Sequence, residues 1–211
     1  MIVSNSRKFI YLRVPRTAST SLANFLVANI AFDLAQDYHT PIPYNRVAGL
    51  NISDAQRVHA NLDDIVALGL LRHPVSEYAV FGVIREPLDR FISGAWHTCH
   101  YDNRVPRDND EAVAYALGLT APVPPVLRPQ VNWLLYDGRP INRIFPYHQL
   151  DELAQAVLGI ADARVTFRHR AESRRTRDMT LDAGLRAAVL ARYAADAELY
   201  RSVTGQPAAS Q

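Results

Sequence analysis

Four hydroxyl side chains, Thr17, Ser19, Thr20 and Ser21, stand within five residues directly after Arg16. Such a cluster suits an oxyanion, because the guanidinium carries a permanent positive charge and each O–H is a hydrogen-bond donor. Upstream lies an apolar run from Phe9 to Val14, closed by Pro15. Downstream, Leu22, Phe25, Leu26 and Ile30 recur at helical spacing. This order predicts a strand, a tight loop and a helix N-terminus, whose unsatisfied N–H groups and aligned peptide dipoles also favour an anion. Residues 8–26 contain no glycine, so the loop is not the G-x-x-x-x-G-K-[ST] phosphate loop. The alternative is an ordinary Ser/Thr cap on a first helix.

Residues 78–96, YAVFGVIREPLDRFISGAW, repeat the arrangement. Tyr78 to Ile84 is a near-continuous apolar run, as in a strand buried on both faces of a parallel sheet. Arg85 follows its C-terminal end, Pro87 suits a first helical turn, and Ser93 stands eight residues after Arg85. Ligands of open α/β sheets bind beyond the carboxyl ends of strands, where Arg16 and Arg85 both fall. The structural alternative pairs Arg85 with Glu86 or Asp89 and packs Ser93 as a small core residue.

Together the two segments resemble the donor-binding motifs of sulfotransferases that use 3′-phosphoadenosine 5′-phosphosulfate (PAPS). The resemblance implies that Arg16, Thr17, Ala18, Ser19, Thr20 and Ser21 hold the 5′-phosphosulfate, and that Arg85 and Ser93 hold the 3′-phosphate. Within the family, RVPRTASTS most resembles the loop of the heparan sulfate and uronyl 2-O-sulfotransferases, which carry lysine where Arg16 stands. That lysine steadies charge on the departing phosphate. Arg16 would take this catalytic role with a bulkier group that is never deprotonated. The resemblance is specific at residues 10–26 and 78–96 and looser at 55–66 and 128–200. It implies an α/β, P-loop-NTPase-like sulfotransferase fold, PAPS as sulfate donor and no metal. The acceptor would be a hydroxyl on a small molecule or glycan.

Transfer to a hydroxyl also needs a base, and histidine is the usual choice near neutral pH. His59 is the candidate: it ends the predicted strand QRVHAN, directly before the helix start Asn61-Leu62-Asp63-Asp64. The resembled 2-O-sulfotransferases carry a catalytic histidine in the matching place. Asp63 or Asp64 could orient the imidazole; the alternative is a core or surface histidine. Arg13 is the substrate-binding candidate, since the resemblance gives the equivalent arginine an acidic sugar; otherwise it is a salt bridge on the sheet surface. His97, Cys99, His100 and Asp102 form HTCHYD, whose spacing matches no closed zinc pattern. Residues 168–177 hold five arginines. The family folds a basic loop over the 3′-phosphate and adenosine here, which makes Arg170 and Arg174 further candidates. Two rival functions remain: a catalytically weak or inactive sulfotransferase-like binding protein, and a P-loop-type kinase. The missing glycines and lysine weigh against the kinase.

These residues need a scaffold. The chain has 211 residues, 48% hydrophobic and 21% charged, with a formal net charge of +2. That is enough for one α/β domain spanning 1–211 with a real core, and too little charge for a general affinity for nucleic acid. Cys99 is the only cysteine, so no intrachain disulfide forms. No stretch reaches the roughly 20 apolar residues of a membrane span, and the early first strand leaves no room for a signal peptide. A bacterial cytoplasmic enzyme is the expectation. Strands are predicted at 8–14, 55–60, 78–84, 141–146 and 163–168. Helices are predicted at 20–35, 62–70, 87–100, 109–118, 128–136, 149–158 and 180–203, the last capped by Thr180. The alternation argues a central, mostly parallel sheet with helices on both faces. Acceptor specificity is expected in the irregular stretches 36–54 and 100–128.

Overall fold

The computed structural model describes residues 1–31, 33, 35–39, 58–159, 164, 165 and 180–205. Three strands form the parallel part of the sheet: β2 (Phe9–Tyr11), β4 (Ala79–Ile84) and β7 (Arg143–Pro146). β4 lies between the other two, with Phe9 opposite Ala79 and Ile84 opposite Pro146. β1 (Ile2–Ser4) runs antiparallel to β2, and β3 (Tyr38–His39) antiparallel to β1, so the order is β3-β1-β2-β4-β7. A mostly parallel sheet was the expectation, and the described sheet is mixed. β1 and β3 are too short to show a two-residue period, so the sequence does not announce this edge. A separate hairpin pairs β5 (Leu135–Tyr136) with β6 (Arg139–Pro140).

The expected helices are α1 (Ser19–Asn29), α2 (Leu62–Ala67), α3 (Pro87–Tyr101), α4 (Asn109–Gly118), α5 (Val131–Leu134) and α6 (Leu150–Leu158). The long final helix is two, α7 (Ala183–Arg192) and α8 (Ala194–Thr204), broken at Tyr193. Tyr193 turns its ring onto Phe91 at 5.2 Å and donates its hydroxyl to the Leu127 carbonyl, contacts no helical period encodes. Asp182, not Thr180, caps α7, accepting from the Gly184 and Leu185 amides. At the predicted strand 55–60, Val58 is helical and His59 is in a turn; residues 55–57 lie outside the described residues. So does most of the predicted strand 163–168, of which Arg164 and Val165 are described without strand structure.

Alternation along the strands sends side chains to both faces. Ile10, Leu12, Val80 and Ile84 pack with Leu62, Ile65, Trp133, Leu134 and Leu199 from α2, α5 and α8. Phe9, Tyr11, Phe81 and Val83 pack with Leu22, Leu26, Leu150 and Leu153 from α1 and α6. Burial on both faces explains why these strands read as unbroken apolar runs. Each large side chain so buried contributes roughly 1.5–3 kcal/mol. A further cluster joins α3, α4 and α7 through Phe91, Ala95, Val113 and Val189. There α3 approaches the 3₁₀ turn Pro125–Leu127 so closely that a Cβ on Gly94 would lie 2.7 Å from the Val126 carbonyl oxygen.

Candidate active site

Past β2, the Leu12 amide still donates to the Phe81 carbonyl, at 2.8 Å. The chain then turns over residues 15–18 into α1. Arg16 and Ala18 both take left-handed backbone angles, with φ of 66° and 55°. In residues other than glycine each costs about 1–3 kcal/mol and needs support from its surroundings. Thr17, fully buried, donates its Oγ1–H to the Val14 carbonyl at 2.8 Å. Arg90 of α3, also buried, donates to the carbonyls of Pro15 at 3.4 Å and Val126 at 3.1 Å, and to that of Arg128. Arg85 Nη1 donates to the Arg16 carbonyl at 3.0 Å.

The turn ends in a helix without a side-chain cap. Ala18 occupies the cap position, no side chain hydrogen bonds there, and the first turn holds no acidic residue. By contrast, Asn61, Glu86, Asp108 and Asp182 cap α2, α3, α4 and α7 with side-chain oxygens. The hydroxyls of residues 17–21 are therefore not an ordinary cap. The first-turn amides of α1 have no acceptor within the helix.

Arg16 also joins the two segments. Its Nε and Nη2 donate to Ser93 Oγ at 3.1 and 2.9 Å, across 77 residues of sequence. Arg85 makes a two-point ion pair with Asp89, Nε to Oδ2 at 2.5 Å and Nη2 to Oδ1 at 2.8 Å, and lies 4.8 Å from the centre of the Tyr147 ring. The ion pair of the structural alternative is thus present, on the same guanidinium that holds the Arg16 carbonyl. Arg13 donates from Nη2 to Thr20 Oγ1 at 3.1 Å and is 1% exposed. It braces Thr20 in the first turn of α1 from a buried position rather than from the sheet surface. Arg170 and Arg174 lie outside the described residues.

His59 sits behind this loop. Its Nδ1 lies 2.6 Å from the Arg13 carbonyl oxygen. A carbonyl only accepts, so Nδ1 carries the hydrogen and Nε2 keeps its lone pair, the tautomer a base requires. The orienting group is that carbonyl rather than Asp63 or Asp64; Asp64 instead completes a capping box with Asn61. Burial, helped by the nearby Arg13 charge, pushes the imidazole down to about 4. His59 is therefore neutral at pH 7. Its own carbonyl accepts from Trp133 Nε1 at 2.5 Å. A cleft of about 360 Å³ opens beside it, lined among others by Asp63, Asp64, Arg128, Trp133 and Asp137. The residues lining this cleft fall within 59–64 and 128–138 and meet the stretch 100–128, where specificity was expected, at Arg128; residues 40–54 lie outside the described residues.

A family model described as Sulfotransferase family matches residues 1–120, more than half of the chain and including both segments. The chain belongs to the sulfotransferase family. No curated protein and no solved structure matches it.

In this sulfotransferase the HTCHYD run is dispersed: Cys99 is buried among α3, α4 and α7, while His97 and His100 are exposed. Among the described residues no group of His, Cys, Asp and Glu is gathered for a metal, and no helix is long and apolar enough to cross a membrane. Sequence reasoning missed Arg90, Arg128, Gln130 and Tyr147. Arg90 left a signal, since an arginine on the apolar face beside Phe91 had to find buried partners. Arg128 and Gln130 stand at the start of the predicted helix 128–136 and Tyr147 just after the predicted strand 141–146, where spacing names no distant partner.

Proposed function

We propose that this sulfotransferase moves a sulfuryl group from PAPS to a hydroxyl of a carbohydrate or glycoconjugate. The observation that carries the reading is the contact of Arg16 with Ser93, beside Arg85, at a helix N-terminus no side chain caps. This donor set of guanidinium, hydroxyl and amide hydrogens fits an anion with two phosphate-like ends. The strand–turn–helix is read as a P-loop-like phosphate cradle. When bound, PAPS supplies an activated sulfuryl group on a phosphate leaving group. Arg16, Thr17, Ala18, Ser19, Thr20 and Ser21 hold the 5′ end, and Arg16 offsets charge on the leaving phosphate. Arg85 and Ser93, with Arg174, hold the 3′-phosphate. His59 takes the acceptor proton at Nε2 in the cleft, and Arg13 supports both Thr20 and His59. Kinship with the uronyl 2-O-sulfotransferases rests on RVPRTASTS and His59.

Isothermal titration tests the reading. 3′,5′-Adenosine bisphosphate is expected to bind far more tightly than 5′-AMP, because Arg85 and Ser93 meet the 3′-phosphate. Equal affinities would remove its basis, and binding of ATP with Mg²⁺ but not of the bisphosphate would indicate a kinase. Arginine at the family's lysine position favours one second reading, a binding protein without turnover, marked by bisphosphate affinity without transfer to any acceptor in a screen with labelled donor.

A further inference from the structure

Arg85 lies just beyond the sheet, since the last ladder pair of β4 and β7 is Ile84 with Pro146. Its backbone is nevertheless held as if a strand continued beside it. The Gln130 carboxamide accepts from the Arg85 amide at 3.0 Å through Oε1 and donates from Nε2 to the Arg85 carbonyl at 2.9 Å. Gln130 is itself fixed: its amide donates to Asp196 Oδ2 at 2.8 Å, and the next amide, of Val131, donates to Oδ1 at 2.9 Å. Gln130 and Asp196 are both fully buried. An apolar side chain at position 130 would fill the same space but leave two backbone groups of Arg85 unmatched. A strand's side chains alternate between faces, so holding both backbone groups sets the face from which Arg85 leaves the chain. Residues 130 and 196 lie outside the span matched by the family model, 1–120.

We infer that Gln130, oriented by Asp196 from α8, is a positioning residue for the 3′-phosphate site, aiming the Arg85 guanidinium. The inference rests on the donor reading above. It is tested by titrating the full chain with 3′,5′-adenosine bisphosphate and with 5′-AMP. In Gln130→Ala the bisphosphate affinity falls about tenfold, the scale of a lost hydrogen-bonding partner, while 5′-AMP affinity is unchanged. Asp196→Asn keeps one acceptor and gives a smaller loss of the same kind. An unchanged ratio of the two affinities, or an equal loss for both nucleotides, would overturn the positioning role. Failure of both variants to fold would overturn it too, leaving a clamp that serves the fold alone. If the wild-type chain does not distinguish the nucleotides, the donor reading itself fails and the inference with it; that result needs no variant, so the two failures are separable.

Discussion

Arg85 carries three attachments at once, to Asp89, to the Arg16 carbonyl and to the Tyr147 ring. Its five N–H donors allow this and still leave hydrogens for a phosphate. Arg85→Ala is expected to lower bisphosphate affinity by about 1.5–3 kcal/mol, a loss of roughly tenfold to a hundredfold; calorimetry that finds no change in a folded variant would reduce Arg85 to its ion pair. His59 shows the opposite economy, a single bond that selects one tautomer. His59→Ala is expected to leave bisphosphate affinity intact and to slow turnover by about 10²–10⁴. Only the neutral imidazole accepts a proton, and burial holds its pKa near 4. The rate should therefore rise with pH through about 4 and be level by pH 6. An acid limb centred near 6.5, the ordinary histidine value, would show that His59 titrates as an exposed side chain or is not the base.

At the scale of elements, the site is the meeting of one turn and one helix. α3 supplies Arg90, which holds the turn through the Pro15 carbonyl, and Ser93, which receives Arg16. The turn in exchange adopts angles that disfavour a branched side chain. Ala18→Val places a β-branched residue at a φ of 55° and is expected to destabilise the fold by about 1–2 kcal/mol, read as a lower urea midpoint. Gly94 sets how closely α3 can approach the Pro125–Leu127 turn. A methyl group there would push the Val126 carbonyl, an acceptor of Arg90. Gly94→Ala should cost about 1–3 kcal/mol by overpacking, with bisphosphate affinity reduced because Arg90 also braces residue 15. Normal stability and affinity together would show that the turn yields without effect on the site.

At the scale of the whole molecule, the parallel pairing of β2 and β4 brings Arg16 and Arg85 to the same carboxyl end of the sheet, while Trp133 of α5 donates to the carbonyl of His59, just before α2. Burying His59 makes stability depend on pH. Its folded pKa of about 4 lies below the ordinary value of 6.5, so between these values the unfolded chain binds a proton that the folded chain does not. The stability from His59 is fully present above 6.5 and is lost as pH falls towards 4. The urea midpoint should drop across that window, and by less in His59→Gln, whose side chain does not titrate; equal drops would assign the effect to other groups.

The chain's own pattern was enough for what is local. Apolar runs closed by Pro15 and by Arg85-Glu86-Pro87 marked β2 and β4, because burial on both faces leaves no polar positions in such strands. Hydroxyl density after Arg16 marked the turn, and Asn61 and Pro87 marked helix starts, because capping and a fixed φ act over one turn of chain. Tertiary structure decided whatever depends on a distant partner. That Thr17 faces inward, that Ala18 is the cap, that Ser93 receives Arg16 and that a carbonyl orients His59 are contacts between segments, which no spacing encodes. No spacing links Gln130 to Asp196, 66 residues on; only the fold brings Asp196 of α8 to the Gln130 and Val131 amides and the Gln130 carboxamide to the backbone of Arg85.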